Sequence, residues 1–398
     1  MTAAQAAVYI ARPVTSYRLL SVGASARAVG LVAAAFALLP LFAAIPLGRF
    51  SDRRGGGPLL AAGCGVQTVS CLMLAVARTP VELAAATALL GLGHLALALG
   101  VQEVIARESD PKHHDQHFGL LTAGVSLGQL IGPVLGGVLL EHRGAASLTS
   151  ATSRAMVVGA GLAALATLWA ALAERRRPRS SSAEGTERRS GSVGTILATP
   201  GVPAGIFASI AVLSAADVFT AYMPVLGEQR GIAPGVVGLL LGLRAAASLA
   251  SRVGIGAIVR AVGRLRLIAL SATAAAGAFV GLTLTQQLWA LALLAVLAGF
   301  GLGFGQPLSM TIVVQLVPSY ARATALAIRL TGNRVGQVAG PAVAGAVAGS
   351  GGIRPVFWML SGTLTASAAA VLRPGIARRL GRGAEREPPA DVPVEEPV

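Results

Sequence analysis

The sequence predicts an all-α polytopic membrane protein with two six-helix bundles around a central cavity. Its 398 residues are 54% hydrophobic and only 12% charged, and the mean hydropathy is +0.70. Soluble domains carry about 25% charged residues, so this chain has too much apolar surface for one water-exposed core. Long uncharged stretches alternate with short arginine-rich ones. The pattern excludes a soluble enzyme, a disulfide-built secreted domain and a disordered chain.

Twelve apolar segments are long enough to cross a bilayer, which takes about 20 residues. The first six lie at 4–22, 27–47, 58–77, 81–106, 119–140 and 154–173. The second six lie at 202–226, 235–257, 266–284, 288–316, 323–348 and 355–372. We therefore expect an N-terminal bundle at 1–173, a C-terminal bundle at 201–372, and between them a polar linker at 174–200. The Pro- and Glu-rich tail at 373–398 is predicted to be disordered.

Arginines determine the predicted orientation, because short cytoplasmic loops of membrane proteins are enriched in basic residues. Arg49, Arg53 and Arg54 follow the second span, and the linker carries six further arginines. Loops on the opposite side carry one arginine each: Arg78, Arg143 and Arg230. Both termini, the linker and the tail are therefore predicted to be cytoplasmic, in the inner (cytoplasmic) membrane. The net charge of +15 then reflects orientation in the lipid bilayer, and no nucleic-acid partner is expected.

A constant offset of 208 residues relates the two halves of the chain. Residues 128–133, Gly-Gln-Leu-Ile-Gly-Pro, coincide with residues 336–341, Gly-Gln-Val-Ala-Gly-Pro. Further glycines coincide at the same offset: Gly23 and Gly231, Gly48 and Gly256, Gly55 and Gly263, Gly91 and Gly299, Gly93 and Gly301, Gly137 and Gly345. One gapless register over more than 100 residues predicts two parallel repeats of six helices each.

The loop after the second span carries Gly48, Asp52, Arg53 and Gly55 in the spacing Gly-x-x-x-Asp-Arg-x-Gly. We expect Gly48 to admit a neighbouring helix, Asp52 to face an arginine or a helix N-terminus, and Gly55 to permit a tight turn. With twelve spans, this loop resembles the signature of the major facilitator superfamily. The resemblance implies that Asp52 latches the two halves together on the cytoplasmic side. Two glycines replace the usual basic pair that follows, and an ordinary charged turn is the alternative.

The fifth span carries a second signature, formed by Gly119, Gly128, Gly132, Pro133, Gly136 and Gly137. Three of its glycines recur every four residues and share one helix face, on which a partner helix packs closely. Pro133 is expected to bend the helix. The segment resembles the motif of the superfamily's drug–proton antiporters, which implies an exporter. A packing seam of small residues is the alternative, and the arginine that the antiporters carry in the fourth span is replaced here by Thr87.

Ionisable residues within spans are costly and therefore mark a transport path. Asp217 is the acid placed well inside a span, and we predict it as the proton-coupling residue, with Glu103 and His94 as further candidates. We expect it to pair with Arg244 on the next span, as a proton carrier or as a static ion pair. The predicted cavity lining is Arg12, Arg244, Asn333, Arg334, Gln129 and Gln337. Its excess of arginine favours a substrate with a carboxylate, phosphate or polarised carbonyl.

The expected function is secondary active transport, with proton-coupled efflux of a small organic compound by alternating access. Uptake or facilitated diffusion of a small organic anion is the alternative. We expect a monomer whose partners are this substrate, protons and lipid, with no enzymatic activity, no cofactor and no metal. The loop group His113, His114, Asp115 and His117 has metal-ligand chemistry but lies in a short loop, and we predict no metal site there.

The repeat also bears on the first helix. The seventh span begins near Val202, and subtracting 208 places the equivalent start of the first helix about seven residues before Met1. The sequence therefore predicts a start codon farther upstream and a longer first helix. A short, tilted first helix that thins the bilayer locally is the alternative.

Overall fold

A computed structural model describes residues 1–108, 114–141, 147–175, 192–318 and 321–373, without the side chains of Asp52, Glu108, His114, Asp115 and Ala323. This part of the chain forms fourteen helices and no strands. They are α1 Thr2–Ser21, α2 Ala26–Arg54, α3 Gly56–Val76, α4 Pro80–Glu108, α5 His114–Glu141, α6 Leu148–Arg175, α7 Val193–Ala198, α8 Val202–Gln229, α9 Pro234–Ala250, α10 Ile255–Val262, α11 Arg264–Leu284, α12 Leu288–Gln315, α13 Arg322–Gly351 and α14 Ile353–Val371.

The predicted all-helical membrane fold is confirmed, and each of the twelve predicted spans contains a helix. By length and apolar composition alone, eight of the described helices can cross a membrane, or nine if the bent pair α9–α10 counts as one span. The helices α1, α13 and α14 fall outside this set. Of these, α1 and α13 contain buried arginine or amide side chains and line the space between the bundles.

Two boundaries differ from the prediction. The expected single helix over 235–257 is wrong: α9 ends at Ala250, and α10 leaves it at an angle of 70°. Gly254 lies between them with φ +75°, a conformation that glycine adopts without the strain other residues suffer. The short helix α7 lies within the segment predicted as linker, where its Ile196 is buried against Val202 and Val313. Residues 176–191 of that linker and the tail from 374 onwards lie outside the described residues.

The glycine faces predicted in the repeat are confirmed. Gly128, Gly132 and Gly136 of α5 pack on α1, where a Cβ added to Gly132 would lie 2.9 Å from the carbonyl oxygen of Ala6. At the equivalent place in the second half, a Cβ on Gly340 of α13 would lie 2.7 Å from the Cβ of Ser214 on α8. Both residues of the second contact are displaced by 208 from those of the first. The repeat is therefore a repeat of helix contacts as well as of sequence.

The two bundles meet at the far side of the molecule, defined here as the end that carries the α1–α2 turn at Gly23. A Cβ on Gly345 of α13 would lie 3.2 Å from the Cα of Gly30 on α2, and a Cβ on Gly238 of α9 would lie 3.1 Å from the Cα of Gly137 on α5. The Tyr222 hydroxyl also donates a hydrogen bond of 2.9 Å to the carbonyl of Ala26. These crossings close the far side at the level of the backbone.

The near side is defined here as the end that carries the α2–α3 junction at Gly55, and its glycines Gly48 and Gly119 make no such crossing among the described residues. Among the described residues, nothing lies within 4 Å of a Cβ added to Gly48 of α2 or Gly119 of α5. The close helix approach expected at Gly48 is therefore wrong among the described residues. The expected turn at Gly55 is confirmed by its φ of +80°.

In each half, one arginine donates hydrogen bonds to carbonyls at the C-terminal end of the third membrane span, which is α3 in the first half and α11 in the second. In the first half, Arg18 donates to the carbonyls of Ala77 at 2.8 Å and Ala75 at 3.4 Å. In the second, Arg230 donates to Thr285 at 2.8 Å and Thr283 at 3.2 Å. The acceptors of the two halves differ by 208 in number. These arginines complete a helix C-terminus, where carbonyls lack intrahelical donors.

Candidate functional site

Tyr9 lines three neighbouring chambers, two of them between the bundles and one within the N-terminal bundle. The central chamber has a volume of about 280 Å³ and is lined by Arg12, Phe36, His94, Asp217, Asn333, Arg334 and Gln337. The arginine chamber, of about 90 Å³, is lined by Arg12, Gln129, Asp217, Thr220, Arg244, Ser248 and Arg252. The amide chamber, of about 210 Å³, lies within the N-terminal bundle and is lined by Gln5, His94, Gln102, Val125 and Gln129.

An ion pair joins the two bundles in the central chamber. Arg12 of α1 contacts the carboxylate of Asp217 on α8, with 2.8 Å between Nη2 and Oδ1. The other carboxylate oxygen accepts a hydrogen bond of 2.9 Å from Gln337, whose own side-chain oxygen accepts one of 3.0 Å from Arg334. Asp217 is only 6% exposed. Both of its oxygens are therefore engaged, one by each bundle.

The expected pair of Asp217 with Arg244 is wrong, because Arg12 and Gln337 occupy the carboxylate. Arg244 is 8% exposed, and the described residues offer its Nε no hydrogen-bond partner. Its guanidinium lies over the ring of Phe219, 6.0 Å from the centroid. A cation–π contact of this kind contributes about 0.5–2 kcal/mol, less than a buried charge loses on leaving water. Arg244 is thus a buried cation without a counter-charge of its own.

Aromatic side chains hold Arg12 and His94 on the N-terminal side. The Arg12 guanidinium lies 4.8 Å from the centroid of the Phe36 ring, and that ring lies 5.7 Å from the ring of His94. The Nδ1 atom of His94 lacks a hydrogen-bond partner among the described residues. His94 lines the central and amide chambers, and its role in proton coupling stays a prediction. Phe36 was not predicted, although the repeat offered a signal, because Phe36 is displaced by 208 from Arg244.

A network of neutral side chains forms the C-terminal wall of the central chamber. The Ser209 hydroxyl donates to the side-chain oxygen of Asn333 at 2.8 Å. Gln306 donates to the Ser209 carbonyl at 2.9 Å and accepts from Arg329 at 2.8 Å. Asn333 was predicted in this wall, whereas Ser209 was not, since serine is common in membrane helices and gave no signal. The network orients amide groups toward the space.

Two other predicted residues lie elsewhere. Glu103 pairs with Arg107 one turn later in α4 and packs against the start of α3, where a Cβ on Gly56 would lie 2.8 Å from its Cβ. It lines none of the three chambers. Arg53 is exposed at the end of α2. The side chain of Asp52 lies outside the described residues, so its latch role stays a prediction.

Metal ligands are not clustered in the part of the chain that the structure describes. It contains no group of three or more His, Cys, Asp or Glu side chains that could hold a metal ion. Of the loop histidines and aspartate considered above, His113 and the side chains of His114 and Asp115 lie outside the described residues.

Comparison with known proteins adds the following. The family model described as Major Facilitator Superfamily matches residues 1–233 and 205–396. Multidrug resistance protein 1 of Bacillus subtilis (strain 168) is 30% identical over 129 residues, which is 32% of this chain. The matching segment spans 33% of that relative, so the similarity concerns about a third of its length.

Solved structures match along almost the whole chain. A mutant of the nucleoside transporter NupG has a TM-score of 0.77 at 15% identity, with 93% of this chain and 97% of that chain covered. A bacterial homologue of the human lysosomal transporter Spinster, inward-facing and unoccupied, has a TM-score of 0.76 at 14% identity, with 98% of both chains covered. At sequence identities this low, the structural similarity shows a common fold and nothing further about function.

Proposed function

This chain belongs to the Major Facilitator Superfamily, and we propose that it exports a small organic compound in exchange for protons. Membership makes it a multi-pass membrane transporter. The observation that carries the finer proposal is the ion pair of Arg12 with Asp217 at 2.8 Å. This pair joins the two bundles at the centre of the cavity, where one proton can change how strongly they attract each other.

The proposed proton step follows from the partners of Asp217. As a carboxylate it accepts bonds from Arg12 and Gln337, one in each bundle. A proton on this group removes the charge that balances Arg12. A buried arginine left without its partner is strongly unfavourable, so protonation weakens the closed contact between α1 and α8. The bundles then rock more readily toward the opposite state, as alternating access requires.

The far-side glycine crossings, and their lack at Gly48 and Gly119 among the described residues, support the assignment of this conformation to one of the two states in that cycle. With both termini in the cytoplasm, as the arginine distribution predicts, the near side is cytoplasmic and this state is inward-open. The export direction is supported by the glycine signature of α5, which resembles that of drug–proton antiporters, and by the name of the Bacillus subtilis relative.

A second function, uptake or facilitated diffusion of a small organic anion, is favoured by the charge of the cavity. The arginine and central chambers together are lined by Arg12, Arg244, Arg252 and Arg334 but by one carboxylate, Asp217. An anion is bound more readily when Asp217 carries a proton, because protonation removes a negative charge. Anion and proton would then move in the same direction, as in a symporter.

Inverted membrane vesicles distinguish the two functions. The vesicles are energised to an acidic interior, a pH-sensitive dye reports the gradient, and ethidium, uridine and benzenesulfonate are added separately. Export by exchange predicts that at least one probe dissipates the gradient in the wild type. Asp217→Asn should abolish that response, and Glu103→Gln should retain it. A wild type that responds to none of the probes, or an Asp217→Asn variant that still responds, would contradict the proposal.

A further inference from the structure

We propose that Arg244 is the anchor of an anion-binding subsite, which holds the carboxylate, sulfonate or phosphate group of the transported compound. This inference rests on the proposed transport function, since it names the chemical class of the substrate. It is independent of the direction in which the substrate moves.

Among the described residues, Arg244 lacks the hydrogen-bond partners that other buried arginines have. Arg18 donates to several carbonyl and hydroxyl oxygens, and Arg329 to Gln306 and Ser309. Arg12 has Asp217. Arg244 is buried to a similar degree, but within the described part of the chain its Nε has no hydrogen-bond partner and its guanidinium lies over the Phe219 ring. A buried, unpaired guanidinium is retained at a cost in stability, which a bound anion would offset.

The Arg244 guanidinium lines the arginine chamber. Arg244, Ser248 and Arg252 follow one another at intervals of four residues, so they lie along one face of α9 and its C-terminal extension. All three line the arginine chamber, and Arg252 is exposed at its rim. The volume of about 90 Å³ is well above the minimum of about 10–15 Å³ that a cavity needs to hold one water molecule. That space accommodates an anionic headgroup, and the adjoining central chamber accommodates the rest of a small molecule.

The side chains that line the arginine chamber carry more positive than negative charge. The arginine chamber is lined by three arginines and one aspartate, a formal excess of two positive charges. Arg12 is already neutralised by Asp217. The excess is therefore carried by Arg244 and Arg252, which makes α9, rather than the ion pair at the centre, the attractive surface for an anion.

The first half of the repeat forms the same helix without these charges. The offset of 208 places Phe36, Pro40 and Ala44 of α2 at the positions of Arg244, Ser248 and Arg252. The equivalent helix face in the first half is therefore apolar, although α2 and α9 make the same far-side glycine crossings. Arginine at these positions serves something that the scaffold does not require, and binding of an anion accounts for it.

The test uses the purified full chain in nanodiscs and three probes that share a benzene ring. Benzenesulfonate is an anion, benzenesulfonamide is neutral at pH 7, and benzyltrimethylammonium is a cation. Affinities are taken from the rise in melting temperature with probe concentration, without any pH gradient. We expect the wild type to bind benzenesulfonate at least about tenfold more tightly than either other probe, as a charge-assisted contact would.

Variants locate the site. Arg244→Gln should lower the benzenesulfonate affinity about tenfold or more, and Arg252→Gln about threefold because Arg252 is more exposed. Arg260→Gln, an exposed position on α10 outside the chambers, is the matched control and should bind as the wild type does. Without probe, Arg244→Gln should melt no lower than the wild type, since an unpaired buried charge has been removed. A merely structural arginine would show the opposite.

Three results would overturn the inference. The first is equal affinity of the wild type for sulfonate and sulfonamide, or no binding of the sulfonate. The second is unchanged sulfonate affinity in Arg244→Gln, which would assign Arg244 to another conformation of the cycle. The third is an equal loss in Arg260→Gln. Because binding is measured without a pH gradient, the subsite can stand even if proton exchange in vesicles fails, and the reverse also holds.

Discussion

In the N-terminal bundle, Gln129 of α5 donates a hydrogen bond of 3.0 Å to the Tyr9 hydroxyl of α1. In the C-terminal bundle, Gln337 of α13 donates one of 2.9 Å to the carboxylate of Asp217 on α8. Both residues of the second bond are displaced by 208 from those of the first. Each half thus has a glutamine at the equivalent position. Its partner is the Tyr9 phenol in the first half and the Asp217 carboxylate in the second, so only the second half carries a negative charge there.

The same comparison separates the charges that serve function from those that serve the fold. Arg12 corresponds to Thr220 in the other half, and Arg244 corresponds to Phe36, so these charges occur in one half only. The arginines that fasten the third helices, Arg18 and Arg230, arise at different positions but donate to equivalent carbonyls. A charge that both halves need is structural, whereas a charge that one half lacks and that lines a chamber is a candidate for the transport path.

The largest effect on stability is expected from substitution of Arg18 or Arg230, which make equivalent hydrogen bonds in the two halves. Arg18→Gln removes several hydrogen bonds to buried oxygens, each worth about 1.5–3 kcal/mol when the donor is charged. We expect a sharp fall in the melting temperature and in the yield of folded protein, measured in nanodiscs. Arg230→Gln should produce the same kind of loss in the other half. If both variants melt as the wild type does, the structural reading of these arginines is wrong.

The ion pair between the bundles should show a large coupling energy. Breaking a buried pair by removing one partner costs about 3–5 kcal/mol, and each of Arg12→Gln and Asp217→Asn removes one. The double variant should be less unstable than the sum of the two single losses, since no unpaired charge remains. A double-mutant cycle on melting temperature measures this. Additive losses would mean that the pair does not link the bundles.

The far-side crossings should respond to a smaller change. A Cβ on Gly30 would lie 2.5 Å from the Cα of Gly345, whereas a Cβ on Gly48 of the same helix meets nothing within 4 Å among the described residues. Gly30→Ala should destabilise the far-side-closed state by about 1–3 kcal/mol and raise the reactivity of a cysteine introduced at that side. Gly48→Ala serves as the control. Equal reactivity in both variants would contradict the assignment of this crossing as the closed gate.

The smallest effect on transport is expected from substitution of Tyr9, the neutral equivalent of Asp217 in the first half. Tyr9→Phe removes the hydroxyl that accepts the bond from Gln129 but no charge. We expect transport in vesicles to fall only a few fold, in line with the net worth of about 1 kcal/mol for a neutral hydrogen bond, and its pH dependence to remain. A change in pH dependence as large as that of Asp217→Asn would erase the distinction between the halves.

Much of this architecture could be predicted because its signals are local. Hydropathy marked the spans, and glycine spacing marked the face of α5 that packs on α1. The break before α10 could not be predicted, because the positive φ of Gly254 depends on how the chain turns after α9 and leaves no trace in an apolar run. The choice of Arg12 over Arg244 as the partner of Asp217 depends on how the bundles face each other. The prediction chose Arg244 because its helix follows that of Asp217 in the chain, and this choice was wrong.

The central claim is that Asp217 is the group that takes up the proton. Infrared difference spectroscopy of the purified protein, titrated from alkaline to acidic pH, reports the carbonyl band of a newly protonated carboxyl group. The account predicts a band from a buried carboxyl that is present in the wild type and in Glu103→Gln and absent in Asp217→Asn. Retention of that band in Asp217→Asn, with its loss in Glu103→Gln, would contradict the account and move the proton to α4.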